Sequence, residues 1–305
     1  MPLPQEVVAA HRIEKRRRHR RETSIAYLFL LPYLILLAMF GVFPVLYAFG
    51  LSFFDTIDMV FWGFENYRFV FDDFRLMQAF ENVLFYLLIW LTATVVFVTM
   101  LSLMLDSVSH RAANALRTLY FLPGAVTSSA VVVLWLFLLD PSVSPFGTFY
   151  ELLDWTNRQN VISGLSFAGV FSIMAFFALS GGWIVVFGGA LSSLPGEVME
   201  AARVDGATPF QLATRIKLPM IWRSVALMAI LSFATGLQLF VEPQLMNLAG
   251  PQLAQSDWAP NQLAFQYAFS MGDFGASAAL SSLLLGSSLT IALIVVFATN
   301  FYETD

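Results

Sequence analysis

Six long apolar blocks set the terms for this chain, at roughly 25–53, 79–105, 119–139, 164–194, 224–248 and 275–300. Spanning ~30 Å of hydrocarbon takes about 20 helical residues, and each block is long enough. The helices buried in a large soluble protein are shorter and come with amphipathic partners. Charged residues make up only 12% of the sequence, against about 25% in a soluble domain. The expected fold class is therefore an all-α membrane protein with six transmembrane helices.

The charges between the blocks are sorted by side. Six spans put both termini on one face. With the N-terminus in the cytoplasm, that face receives thirteen of the sixteen Lys and Arg residues. Seven lie in the tail (Arg12, Lys15, Arg16, Arg17, Arg18, Arg20, Arg21), two in the 106–118 loop (Arg111, Arg117) and four in the central loop (Arg203, Arg215, Lys217, Arg223). The other face holds Arg68, Arg75 and Arg158 and is rich in acids such as Asp55, Asp72, Asp73, Asp140 and Asp257. This is the positive-inside bias. It predicts cytoplasmic positions for residues 1–23, 107–118, 195–222 and 301–305. The basic tail, 1–24, reads as a topology anchor rather than a nucleic-acid patch. The absence of cysteine excludes disulfides, thiolate catalysis and cysteine metal sites.

Between the fourth and fifth blocks lies a polar segment, 195–222. Pro195-Gly196 ends the preceding span, and Glu197 to Val204 suit a short helix with acids near its N-terminus. Gly206 is placed for a left-handed C-terminal cap. Thr208, Pro209 and Gln211 spell a capping box that opens a second short helix, which Leu218-Pro219 ends. Ala201 and Ala202 leave one face low in relief, and Glu200 and Arg203 stand at i,i+3, able to pair with each other or with a partner.

Glu200-Ala201-Ala202-Arg203-Val204-Asp205-Gly206-Ala207 followed by Ile216-Lys217-Leu218-Pro219 resembles the EAA loop of binding-protein-dependent ABC importer permeases, E-A-A-x-x-D-G-A with I-x-L-P. Three other stretches are similar to sugar-type members: Leu30-Leu31-Pro32-Tyr33 through Phe43-Pro44, Gly63-Phe64-Glu65-Asn66-Tyr67, and Arg117-Thr118-Leu119-Tyr120-Phe121-Leu122-Pro123. The resemblance covers nearly all of 25–300. It implies the type I ABC importer permease fold over 25–305, with Glu200, Ala201, Ala202, Arg203, Asp205, Gly206, Leu218 and Pro219 coupling the pore to a cytoplasmic ATPase. It also implies partners: a second permease subunit in a heterodimer, two ATPase subunits that bind ATP and Mg, an extracytoplasmic solute-binding protein, and membrane lipids. Localisation would be the plasma membrane of a prokaryote, and the chain itself would be non-catalytic.

The family pattern maps a solute path onto Phe177, Ser180, Gly182 and Trp183 of span four and Ser232, Thr235, Gly236 and Gln238 of span five. From the residues alone, Ser180-Gly181-Gly182 suits either close helix packing or pore lining. Glu242, before Pro243, reads as a gate or a loop-anchoring acid. The stretch 251–262 is more polar than the family leads one to expect, and Tyr150 and Trp155 suit an interfacial belt. Sugar or oligosaccharide is the first expectation for the solute, with glycerol-phosphate-type solutes the alternative and an ATPase-independent secondary transporter behind them. No P-loop and no H-E-x-x-H motif occurs, so neither ATP hydrolysis nor metalloprotease chemistry is encoded, and no metal site is expected.

Overall fold

A computed structural model describes residue 23 and residues 27–126, 128–250 and 253–298. Most of the basic tail 1–24, the segment 301–305, and Pro251 and Gln252 lie outside the described residues. Helix α1 is Tyr27–Leu51. A small antiparallel ribbon follows, β1 Phe54–Asp55 with β2 Val60–Phe61, Phe54 facing Phe61. Next come α2 Glu65–Asp72, α3 Phe74–Asp106, α4 His110–Ala125 and α5 Ser128–Leu138. The loop beyond carries α6 Gly147–Glu151 and α7 Arg158–Leu165, and α8 is Phe167–Ser192. Then follow α9 Gly196–Val204, α10 over 209–220, α11 Trp222–Leu237, α12 Val241–Ala249, α13 over 260–270 and α14 Phe274–Ala298.

Among the described residues, five stretches are long and apolar enough to cross a membrane: α1, α3, α8, α11 with α12, and α14. The expected third span is instead α4 and α5, which meet at 100° and qualify only as a pair. The reason sits at the joint. Pro123 follows Leu122 into a tight 3₁₀ turn, and Val126 then leaves the helix with extended backbone. Proline acts more softly elsewhere. α1 widens to π geometry at Ala38–Val42, just before Pro44, and α10 does so at Leu212–Lys217, just before Pro219. An added residue in the turn relieves the clash of the ring with the carbonyl four residues back. The second loop helix therefore runs on through Leu218-Pro219 to Met220.

α8 is the axis of the bundle. Its first half joins Val83, Tyr86 and Trp90 of α3, Val132 of α5 and Met246 of α12 in one core. Its second half joins Val98 and Leu105 of α3 with Ile221, Val225 and Met228 in another, at the end of the bundle that carries the 195–222 loop. A third core unites α2, α13 and α14. Tyr150, expected at an interface, is buried in the first of these cores and donates its hydroxyl to the Leu138 carbonyl at 3.1 Å. Most of the 253–262 stretch is likewise buried, Gln255 and Ser256 being exposed: Trp258 meets Phe171 edge-on at 4.9 Å, and Asn82 donates to the Trp258 carbonyl.

At the end opposite the loop, the Gly63–Tyr67 motif is a lock. Gly63 turns the chain with φ +63°. Buried Asn66 donates to the carbonyls of Ser52 (2.9 Å) and Phe54 (2.8 Å), and Tyr67 shares a 2.7 Å hydrogen bond with Ser52. Gly275 of α14 lies so close that a Cβ would stand 2.4 Å from the Phe54 carbonyl. Nearby, Asp73 caps α3 through the Arg75 N–H and takes a 2.6 Å ion pair from Arg75 and a 2.8 Å hydrogen bond from Tyr267.

Two expected outcomes follow from this packing. A Cβ on Gly181 would meet the Tyr120 carbonyl at 2.1 Å, whereas one on Gly182 would have nothing within 4 Å. Gly181→Ala should therefore destabilise the chain by about 1–3 kcal/mol while Gly182→Ala leaves it near wild type, as thermal midpoints in detergent will show. The Arg75 side chain, donating to Asp73, holds that carboxyl down at about 2 from the ordinary 3.8, against the opposing pull of burial. A depressed folded-state value adds stability that is complete above the ordinary value and is lost as pH falls through about 2. Asp73→Asn should flatten that acid limb in a plot of thermal midpoint against pH.

Candidate functional site

The loop folds as its sequence dictates. α9 ends in a full Schellman turn: Gly206 takes φ +85°, its N–H reaches the Arg203 carbonyl at 3.1 Å, and the Ala207 N–H reaches the Ala202 carbonyl at 3.0 Å. α10 opens with the capping box. The Thr208 hydroxyl accepts from the Gln211 N–H at 3.3 Å, and the Thr208 N–H donates to Gln211 Oε1 at 2.9 Å. Glu200, Ala201, Arg203, Asp205, Gly206 and Pro219 are exposed, and Ala202 and Leu218 are half-buried. Among the described residues, neither Glu200 nor Arg203 has an ion-pair partner.

Two features of the loop were not read from the sequence. Lys217 Nζ pairs with Asp106 Oδ2 at 2.5 Å, with both side chains largely shielded, tying α10 to the end of α3. Leu212, Leu218 and Ile221 add apolar contact to the same region. The loop's other side offers Val204 and Phe210, 87% and 76% exposed. The loop has thus covered its inner face, while its outer face presents large apolar side chains beside Asp205 and Glu200.

The eight residues mapped onto a solute path separate into two groups. On α11, Ser232 and Gly236 are buried against the bundle, and a Cβ on Gly236 would stand 2.4 Å from Leu87 Cδ2 and 2.6 Å from Trp90 Cζ3. Gly236 is where α11 crosses α3. Thr235 and Gln238 are exposed, Thr235 with its hydroxyl turned back to the Leu231 carbonyl at 2.9 Å. On α8, Ser180 is buried, Phe177 is exposed and tilts against Trp135 at 6.0 Å, and Gly182 and Trp183 are half-buried. A glycine or serine between long apolar side chains signals either role in sequence, and only the neighbouring helix decides.

The fifth span is broken at Gln238. That residue caps α11, Phe240 leaves helical geometry (φ −148°, ψ −50°), and α12 restarts with half-buried Glu242 in its first turn. Beside the break lies an open groove of about 520 Å³, walled by α13 and α14. Gln238, Asn261, Ser277, Ser281 and Ser288 contribute its polar groups, and Phe240, Phe265 and Phe269 its aromatic rim. Asn261, Ser277, Ser281 and Ser288 are not among the residues that the family pattern maps onto a solute path. Their signal was the i, i+4, i+11 spacing of Ser277, Ser281 and Ser288, which one helical face collects. Irregular backbone at membrane depth is tolerated where it is buried in protein or lines a water-filled cavity.

No protein-family model matches the chain. Individual proteins do. The osmoprotective compounds uptake permease protein GgtC of Synechocystis sp. is 30% identical over 206 residues, 64% of this chain and 71% of GgtC. The alpha-glucoside transport system permease protein AglF of Rhizobium meliloti is 29% identical over 273 residues, 85% of this chain and 77% of AglF. A bacterial ABC transporter involved in the import of the acidic polysaccharide alginate shares the fold, with a TM-score of 0.79 at 20% identity over 95% of this chain and all of the matched one. The apolar spans, the loop between the fourth and fifth of them and the extent of these matches agree, and the chain belongs to the family of ABC importer permease subunits.

Proposed function

We propose that the chain forms half of an ATP-driven import path for a sugar or oligosaccharide. The observation that carries this reading is the break of the fifth span at Gln238 beside a groove of hydroxyls, amides and aromatic rings. Amides and hydroxyls suit the donor and acceptor pattern of a sugar, and rings suit its apolar faces. The names of AglF and of the alginate transporter support the same solute class. Thr235 and Gln238 stand on the exposed side of α11 for contact with solute, and Phe177 does so on α8. Ser180, Ser232 and Gly236 instead set the helix crossings that hold those faces in place.

The 195–222 loop is the transmission. It docks on a cytoplasmic ATPase through Val204, Phe210 and the acidic turn, and the partner ATPases hold ATP and Mg. A push on the loop passes through the Lys217–Asp106 pair into α3 and through the shared core into α8 and α11. The helices then switch between two packings as rigid bodies. A second permease subunit supplies the other half of the path. α1 supports this partner, because none of its apolar window is buried within the chain. An extracytoplasmic binding protein delivers the solute at the end opposite the loop, in the plasma membrane of a prokaryote with both termini in the cytoplasm.

The test uses the assembled complex in proteoliposomes. Gly206→Val forces a branched side chain into left-handed backbone, a cost of roughly 1–2 kcal/mol, and should cut uptake about 10-fold or more relative to ATP turnover, in the usual range of coupling losses. Gln238→Leu should raise the KM for an alpha-glucoside or longer glucan with assembly intact. Wild-type uptake and ATPase in the first variant would overturn the coupling role, and wild-type kinetics in the second would place Gln238 outside the path. Competition by glycerol phosphate but not by sugar would reassign the solute.

A further inference from the structure

A second groove lies between α4 and α8, away from the broken span. The two helices run antiparallel and close together: Gly124 abuts the Ala178 carbonyl, Gly181 abuts the Tyr120 carbonyl, and Gly188 abuts the Arg117 guanidinium. At the loop end they part, leaving an open cavity of about 590 Å³. Its floor is glycine, at Gly188 and Gly189. His110, Asn114 and Arg117, at i, i+4 and i+7 on α4, share one face, and Ser192 faces them from the end of α8. Phe121 and Val185 line the deeper part and are 48% and 45% exposed, so the groove opens sideways along the bundle.

Arg117 is incompletely partnered there. Its Nη1 donates to Asn114 Oδ1 at 3.3 Å, while its Nε is buried with no hydrogen-bond partner. Among the described residues no carboxylate pairs with it. The nearest acid along the chain, Asp106, is taken by Lys217. A buried guanidinium N–H without an acceptor is costly, and a guanidinium is shaped to grip phosphate oxygens. Depth agrees. α8 has 26 residues, about 39 Å at 1.5 Å per residue, so its two ends project a few ångströms beyond ~30 Å of hydrocarbon. Gly188, four residues from the end, places Arg117 near the boundary between headgroups and acyl chains. The groove is thus polar and cationic at the headgroup level and apolar one to two turns deeper.

We propose that this groove is a binding site for an anionic phospholipid, its phosphate held by Arg117 and Asn114 and an acyl chain lying along Phe121 and Val185. A negatively charged headgroup is favoured because the polar end offers Arg117 and His110 and no acid. Gly188 is part of the site: a Cβ there would stand 2.6 Å from Arg117 Nε and 2.7 Å from Cζ, displacing the guanidinium. The proposal requires that the chain span a bilayer and is independent of the solute and of the direction of transport.

Native mass spectrometry of the full chain in detergent tests it, with phosphatidylglycerol, phosphatidylcholine or inorganic phosphate added as probes. Phosphatidylglycerol should be retained in preference to phosphatidylcholine, and inorganic phosphate should not displace it, since it lacks the chain that fills the deeper part. Arg117→Gln should weaken retention about 10-fold, the value of one charge-assisted hydrogen bond. Arg117→Lys should recover part of it. Val185→Trp, at an exposed position that folding tolerates, should block the acyl half without touching the charge. Equal retention of the two lipids would overturn the proposal, as would phosphatidylglycerol binding unchanged in both Arg117→Gln and Val185→Trp. Displacement by inorganic phosphate alone would reduce the site to a simple anion site. The chain has no cysteine, so labelling of Asn114→Cys in the assembled transporter adds a last arm. Protection by assembly in the absence of lipid would assign the face to a subunit contact and also overturn the proposal.

Discussion

Hydrocarbon supplies no hydrogen bonds, and that constraint bears on the breaks within the spans of this protein. A helix crossing it must keep its backbone paired or hand the unpaired groups to protein or water. The prolines show the first solution. Before Pro44 the spanning helix takes on a π turn and continues, as α10 does outside the spans before Pro219. The joint after Pro123 and the break at Gln238 show the second, where the chain stops being helical and packs or opens onto a groove. The same accounting governs side chains. Buried Asn66 joins two carbonyls that the end of α1 leaves free.

Close approach is the complementary theme. Gly124, Gly181 and Gly188 let α4 ride along α8, and Gly236 lets α11 cross α3 against Trp90. In a membrane there is little hydrophobic drive between helices, so contact of this kind and interhelical hydrogen bonds carry the packing. The exposed groups that remain, Thr235 and Gln238 on one side and the surface of the loop on the other, are held by these crossings.

Much of this was legible in advance, and the reasons are local. The spans follow from length and hydropathy. The Schellman turn at Gly206 and the capping box of Thr208 and Gln211 are short-range chemistry, and they form where their residues stand. Three things were not legible. Adjacent glycines 181 and 182 differ only in which neighbour they face, which is a tertiary fact. Ser232 and Gly236 carry the same small-residue signal as pore positions, but Ser232 is buried and Leu87 and Trp90 lie against Gly236. The Lys217–Asp106 pair joins residues 111 apart in sequence, and no local pattern announces it.

The order in which these contacts become possible matters to a chain that emerges from the ribosome end first. α1 is made before the other spans described, yet its C-terminal half meets α14, and the Gly275 N–H reaches Thr56 Oγ1, just past α1, across 219 positions at 3.1 Å. Until α14 has entered the bilayer, α1 is fastened within the chain mainly at its end, where Asn66 and Tyr67 hold Ser52. The arrival of α14 is thus a ring closure. A truncation that removes α14 would leave an open-ended intermediate with both α1 and the face of α2 unclaimed, the kind of membrane species that quality-control proteases are placed to find.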